Sequence, residues 1–287
     1  MLHPRAIIVT GANRGIGRAI CETILARPDV GPLQLLATSR KGEDLALKTQ
    51  HGNQKVLYAQ LDISKSESIR AFGAEVKKHV PEVSVLVNNA GVNLDFEQQY
   101  NLEHAKKTID INFRGTIEMC QTFLPQLSNT GRIVSLSSVA SNINIYNEEI
   151  QNRFRSAATI ADLEQIAQDF ENSVRTSTES AAGFGGPQRS YNVSKALLRA
   201  ATRILSHQHR TEYPDSHVLI NCCCPGWIDT DMGGLVSRRG TRPPKTAEEG
   251  ARIPVRLALD HLGGVTGEYL ANESVRSRDD GAVQRWE

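Results

Sequence analysis

The sequence predicts an α/β protein built on one doubly wound parallel sheet, and three observations carry that expectation. Short apolar runs recur along the 287 residues, separated by segments of helical periodicity, with no internal repeat and no low-complexity linker. The first run, A-I-I-V-T, leads into the glycine-rich string G-A-N-R-G-I-G and then an amphipathic pattern, the order strand, tight turn, helix. Late in the chain, Arg189 to His207 reads as a long amphipathic helix.

Taken in order, the expected strands are Arg5 to Thr10, Leu33 to Ser39, Lys55 to Gln60, Val83 to Asn88, Gly131 to Ser137, His217 to Cys222 and Glu268 to Leu270. They are short and mostly apolar, as strands covered on both faces are. Helices fill most of the gaps. The whole chain, 1–287, reads as a single domain, with residues 142–188 as a helical insertion. Within it, I-A-D-L-E-Q-I-A-Q-D-F places Ile160, Leu163, Ile166, Ala167 and Phe170 on one stripe. An isolated helix of this length is marginal in water, so the stripe is expected to dock on the main body. The tail T-S-T-E-S-A-A-G-F-G-G-P reads as loop.

Composition narrows the function classes. With 33 basic and 32 acidic residues the formal charge is +1, which gives no broad electrostatic footprint for nucleic acid. No apolar run approaches the roughly 20 residues of a membrane span, and M-L-H-P-R-A runs straight into the first strand without room for a signal peptide. A soluble, cytoplasmic protein is expected. The five cysteines, at 21, 120, 222, 223 and 224, form neither a disulfide ladder nor a C-x-x-C pair. The triplet ends the apolar run H-V-L-I-N, so at least one thiol is expected in strand packing, and Cys224, beside the P-G-W turn, is the one candidate for reactivity. The eight histidines lack metal-ligand spacing, so no metal site is expected, and His207 and His209 are expected at the surface.

Two motifs carry chemistry. Tyr191 and Lys195, in S-Y-N-V-S-K-A-L, project from one helical face at a spacing of four. An ammonium beside a phenol lowers its pKa, so this tyrosine is expected to move a proton near neutral pH; the bland alternative is an exposed helix pair. Gly11, Gly15 and Gly17 occupy T-G-x-x-x-G-x-G, which lets backbone approach a pyrophosphate at a helix N-terminus; the alternative is an ordinary strand-to-helix turn.

Together these motifs resemble the short-chain dehydrogenase/reductase superfamily. Further landmarks fall in the order that family shows: Asp62 after V-L-Y-A-Q-L, N-N-A-G at residues 88–91, N-F-R-G from Asn112, S-L-S-S-V-A-S around Ser138 and C-P-G-W-I-D-T-D-M from Cys224. The monomeric NADPH-dependent carbonyl reductases are the nearer resemblance. Ser138 and Tyr191 lie 53 residues apart, far more than in typical members, and R-F-R-S-A-A-T-I and T-A-E-E-G-A-R-I-P-V-R-L-A-L look like strings of that group.

The resemblance implies NADP(H)-dependent reduction of small carbonyl compounds such as ketones, quinones or dicarbonyls. It gives Tyr191 the role of proton donor, Ser138 that of orienting the carbonyl oxygen, Lys195 those of tuning the phenol and binding ribose, and Asn112 that of holding a water. The cofactor would meet Gly11, Asn13, Arg14, Gly15, Ile16 and Gly17, then Ser39 and Arg40, Asp62 and Ile63, and Asn89, Ala90 and Gly91. Tyr191 and Lys195 also touch it, as do Pro225, Gly226, Ile228 and Thr230, while Ser138, Ala140 and Trp227 line the substrate pocket. NADP(H) is favoured over NAD(H) on residues too: Ser39 stands where an acid would hold a free ribose hydroxyl, and Arg14 and Arg40 can meet an extra phosphate. Asp62 reads equally as an acceptor from adenine or as a strand-terminal cap.

Arg238, Arg239, Arg242 and Lys245 lie in the rim M-G-G-L-V-S-R-R-G-T-R-P-P-K, where a solvated loop is the preferred reading over a clamp for anionic substrates. Short-chain reductases commonly pair through long helices, here about 101–127 and 189–212; the insertion is expected to cover that surface and leave a monomer. A non-catalytic NADP-binding module is the competing class. Such a module is free to lose catalytic positions, whereas Asn112, Ser138, Tyr191 and Lys195 are all present.

Overall fold

The computed structural model describes residues 4–96, 100–237 and 241–286. Among these, eight strands form one sheet: β1 (Arg5–Val9), β2 (Leu33–Ser39), β3 (Gln54–Gln60), β4 (Val83–Asn88), β5 (Leu127–Leu136), β6 (Leu219–Cys223), β7 (Tyr269–Ala271) and β8 (Ala282–Val283). The order is β3-β2-β1-β4-β5-β6-β7-β8, parallel throughout except for β8. The chain starts mid-sheet, winds outward to β3, and returns to β4 on the other flank of β1. The order therefore reverses between β1 and β4, the place where such sheets open a crevice at their carboxyl ends.

The helices are α1 (Gly15–Ala26), α2 (Ser66–His79), α3 (Leu102–Ile109), α4 (Thr116–Phe123), α5 (Glu148–Ser156), α6 (Ile160–Thr176), α7 (Ser190–Glu212), α8 (Asp231–Leu235) and α9 (Ala247–Leu259). Side chains of a strand alternate between faces, and β1 shows the result. Ile7 and Val9 pack with α1 and α9, while Ala6 and Ile8 pack with α2, α3, α4 and α7. Apolar strands with both faces buried are what produced the continuous hydrophobic runs of the sequence.

Strand positions agree with the expectation to within a few residues, and the connections add detail to it. No helix joins β2 to β3. Ala46 takes φ 52°, a left-handed conformation that a right-handed helix cannot pass through. The segment is held instead by Leu47 N–H donating to the Tyr58 hydroxyl at 2.9 Å, with Leu45 and Leu47 buried beside α1. The helix expected near 101–127 is broken into α3, a π-helical turn over Asp110–Gly115, α4 and a 3₁₀ turn at Leu124–Gln126, and β5 starts at Leu127 rather than Gly131. Helix α5 and the short antiparallel β8 carried no sequence signal of their own.

The insertion folds as a pair of helices against the body. A reciprocal cap between Thr159 and Asp162 starts α6. Its stripe, Leu163, Ile166, Ala167 and Phe170, is buried against α3 and α7. Arg114 fastens the docking, pairing with Asp110 at 2.6 Å, Glu164 at 2.6 Å and Glu171 at 2.7 Å. Among the described residues, no helix is long and apolar enough to cross a membrane.

Candidate active site

Helix α7 brings the tyrosine and the lysine to the carboxyl end of β5. Tyr191 is half-buried in its first turn, and Lys195, one turn on, is buried with its Nζ 5.5 Å from the Tyr191 ring centroid. The ammonium donates to the Leu136 carbonyl at 2.7 Å, and the Ser137 hydroxyl donates to the Lys195 carbonyl at 3.0 Å, which fixes the helix against the strand end. Ser138 follows in extended backbone, its Oγ accepting from Ala140 N–H at 3.1 Å, and its side chain faces the Tyr191 phenol closely enough to lower that phenol's pKa. Asn192 donates to the Ala140 carbonyl at 3.2 Å and closes the ring of contacts. Ser138, Ala140, Tyr191 and Lys195 are thus assembled in one place.

The titration of the pair departs from the sequence expectation. Burial pushes the Tyr191 phenol up to about 12, with the Ser138 side chain pulling the other way. Burial pushes Lys195 down to about 8. Removing two groups from water favours the neutral form of each, and the ammonium is directed at the Leu136 carbonyl rather than held on the phenol oxygen. At neutral pH the phenol therefore keeps its proton, the form required of a donor.

Asn112 lies in the π-helical turn, a distortion frequent at functional sites. Its Oδ1 accepts from Val92 N–H at 2.8 Å; its Nδ2 donates to the Val92 carbonyl at 2.8 Å and to Ser194 Oγ at 3.0 Å. The amide is committed to protein, tying the segment after β4 to α7. Gly91 sits in the same corner: a Cβ there would come within 3.0 Å of Asn112 Oδ1 and 3.7 Å of Lys195 Nζ.

Asp95 was not singled out in the sequence. This buried carboxylate accepts from Ser190 N–H at 3.1 Å and Tyr191 N–H at 2.9 Å, and also from the Ser190 hydroxyl. It caps the helix that presents the tyrosine, from a position 96 residues away in the chain. Burial raises its pKa against those donors. Thr10 was likewise passed over: its Oγ1 accepts from both Asn89 N–H and Ala90 N–H at 3.0 Å. Caps supplied by a distant segment leave no local signature.

Gly11, Asn13, Arg14, Gly15, Ile16 and Gly17 form the turn from β1 into α1. At Gly17 a Cβ would lie 2.2 Å from the Gly11 carbonyl oxygen and 2.4 Å from Asn89 Nδ2, so the turn closes only without a side chain. Asn89 braces it, donating to the carbonyls of Thr10 at 2.8 Å and Gly11 at 3.2 Å. From across the cleft Thr230 approaches Gly15, and Asp231 pairs with Arg14 at 2.5 Å, both of those charges well exposed. At the end of β2 the Ser39 hydroxyl is not alone: it donates to Glu43 at 2.6 Å, and that hydrogen bond holds the Glu43 carboxyl below its ordinary range. Arg40 is exposed beside it. Asp62 accepts from Ser64 N–H at 3.1 Å and Ser64 Oγ at 2.7 Å in the turn that follows β3, and Ile63 is buried.

After β6 the chain turns through Pro225, Gly226 and Trp227. Lys245, expected in a solvated loop, is 2% exposed and donates to the Pro225 carbonyl at 3.0 Å. Its backbone pairs with Ile228, so it is a strut of this turn. Arg242 is exposed, while Arg238 and Arg239 lie outside the described residues. The Trp227 indole is half-buried and donates to the Gly233 carbonyl at 2.9 Å. All five cysteines are buried, and burial pushes the Cys224 thiol up, away from a reactive thiolate. His209 is buried too, its Nε2 2.9 Å from Ser216 Oγ, because the end of α7 packs against the approach to β6; His207 is exposed.

The chain is similar to several known proteins. The family described as short chain dehydrogenase matches residues 5–149. Carbonyl reductase [NADPH] 3 of Rattus norvegicus is 35% identical over 261 residues, covering 89% of this chain and 91% of the relative. Carbonyl reductase [NADPH] 1 of Mus musculus is 33% identical over 276 residues, covering 93% and 96%. Among solved structures, salutaridine reductase from Papaver somniferum superposes with a TM-score of 0.77 at 25% identity, covering 92% of this chain and 99% of that one.

Proposed function

The chain belongs to the short-chain dehydrogenase family, and from that premise we propose that it is an NADPH-dependent reductase of ketones, quinones or dicarbonyls. The observation that carries the reading is the convergence of Ser138, Tyr191 and Lys195 at the carboxyl end of β5, beside the crevice where the strand order reverses. The side-chain-free cradle at Gly17 and the guanidinium groups of Arg14 and Arg40 fit a dinucleotide bearing an extra phosphate. The names of the relatives, both NADPH carbonyl reductases, support the same cofactor.

When bound, the nicotinamide supplies hydride to the carbonyl carbon. The chain's own work is on the oxygen. Ser138 and Tyr191, side by side at the end of β5, present two hydroxyls to one substrate atom, so the oxygen is held where negative charge develops. Tyr191 then gives up its proton. Lys195, positively charged below about pH 8, stabilises the phenolate this leaves and meets the ribose. Asn112 acts on the site by fixing the segment of Gly91 and Val92 to α7. Trp227 and the half-buried Ala140 give the substrate a largely apolar wall, which suits aromatic and quinoid carbonyls.

The docked insertion also supports a monomer, since α6 lies on the α3 and α7 faces through which such enzymes otherwise pair. The decisive experiment follows NADPH oxidation with a panel of quinones, isatin-like dicarbonyls and aromatic ketones. Turnover of at least one class is expected. Tight NADPH binding without turnover of any carbonyl overturns the reading in favour of a binding module.

A further inference from the structure

Helix α7 carries a second stripe, away from the tyrosine. Arg199, Arg203, His207 and Arg210 recur at helical spacings that place them on one face. Like charges at i and i+4 destabilise a helix, and among the described residues no carboxylate lies within 4.0 Å of the guanidinium of Arg199, Arg203, Arg210 or Arg285. The stripe borders a cavity of about 490 Å³ between α7, the insertion, β7 and the segment after β8. Among the described residues that line it, Arg285 and Arg155 bring the guanidinium groups to five, with Glu268 as the carboxylate. In a chain of net charge +1 this is a concentrated positive site.

Two of the guanidinium groups are held in place. Arg199 lies between the rings of Tyr269, at 4.1 Å, and Trp286, at 4.7 Å, and donates to the Gln284 carbonyl at 2.6 Å. Arg203 donates to the Ala157 carbonyl at 2.7 Å. Each keeps further N–H donors for a ligand, because a guanidinium has five. We propose that this cavity is an anion site for a small phosphate ester, separate from the dinucleotide cleft. Guanidinium forks approach it from α7 and the segment after β8, and a tetrahedral phosphate accepts from several directions where a planar carboxylate pairs with one fork.

The test is calorimetric titration of sodium pyrophosphate at fixed ionic strength into protein carrying Arg14→Gln and Arg40→Gln, which weaken any binding in the cleft. One equivalent is expected to bind. Adding Arg203→Gln and Arg210→Gln is expected to weaken it by roughly tenfold or more, since hydrogen bonds to charged groups are the strong ones. Arg210→Gln alone, at an exposed position, keeps the test informative should the larger variant fold poorly. No binding to the Arg14→Gln/Arg40→Gln protein, or equal binding with and without the α7 changes, overturns the proposal.

Discussion

Asp95 caps the helix that carries Tyr191, its Oδ2 accepting from the Tyr191 backbone N–H at 2.9 Å. One carboxylate thus sets where the phenol stands. Asp95→Ala leaves the Ser190 and Tyr191 N–H groups buried without an acceptor, and a loss of about 1–3 kcal/mol is expected. Asp95→Asn keeps one acceptor oxygen and is expected to recover part of it. Urea unfolding alongside kcat tests this; if both variants unfold at the wild-type midpoint, Asp95 is not a cap.

Tyr191→Phe keeps the ring and removes the transferable proton. Carbonyl reduction is expected to fall by about 10²–10⁴-fold, the usual contribution of general acid catalysis, with NADPH affinity nearly unchanged. Retention of about a tenth of wild-type kcat would sink the assignment of Tyr191 as donor. Lys195→Ala is expected to lower both rate and cofactor affinity, and fluorescence titration of NADPH reads the second.

The pH profile separates the two groups. Lys195 gives up its proton near pH 8 in the folded protein, against 10.5 for an unperturbed lysine, while Tyr191 keeps its own to about 12. The ammonium is therefore present below about pH 8 and lost above it. kcat/KM for NADPH, which reports the free enzyme, is expected to hold level at neutral pH and decline through that value. A profile still level at pH 10.5 contradicts it.

Cofactor choice is expected to turn on charge at the end of β2. Ser39→Asp with Arg40→Ala removes a phosphate partner and adds a repelling carboxylate, so the NADPH/NADH ratio of kcat/KM is expected to fall at least about tenfold. The structure adds a finer test, because Ser39 already holds Glu43 at 2.6 Å. Glu43→Gln removes a negative charge there and is expected to raise the ratio by about two- to fivefold, a modest effect because solvent screens it. Equal use of both cofactors by the wild type would refute the whole argument.

Light scattering is expected to give a monomer of 31.5 kDa. Deleting residues 145–185 uncovers the α3 and α7 faces, and association or aggregation should follow. A wild-type dimer that persists on dilution argues that the insertion leaves a pairing surface open.

Local pattern was enough for several of these features. The apolar runs, the glycine turn and the helical stripe of α6 each depend on neighbours a few residues away, and the parallel sheet came out where the pattern put it. The near neighbours of Tyr191 also set which face Lys195 shares with it. What surrounds that face was not legible. Lys195 faces the Leu136 carbonyl across 59 residues, Asp95 reaches Tyr191 across 96, and Lys245 reaches Pro225 across 20.

These long-range partners also decided the corrections. The phenol rises rather than falls, the Cys224 thiol is raised by burial and Lys245 is buried, because desolvation and a hydrogen-bond partner are set by what the fold packs around a side chain. The π-helical turn at Asn112 has the same origin: tertiary contacts outweigh the small per-residue preferences that periodicity reports. In this protein the sequence by itself determined the order of the parallel strands and the face that Tyr191 shares with Lys195, since both are written in local spacing. The ionisation of those two groups, the cap on their helix and the basic cavity beside α7 were decided by the tertiary structure, because only the closed fold brings distant segments together and takes water away.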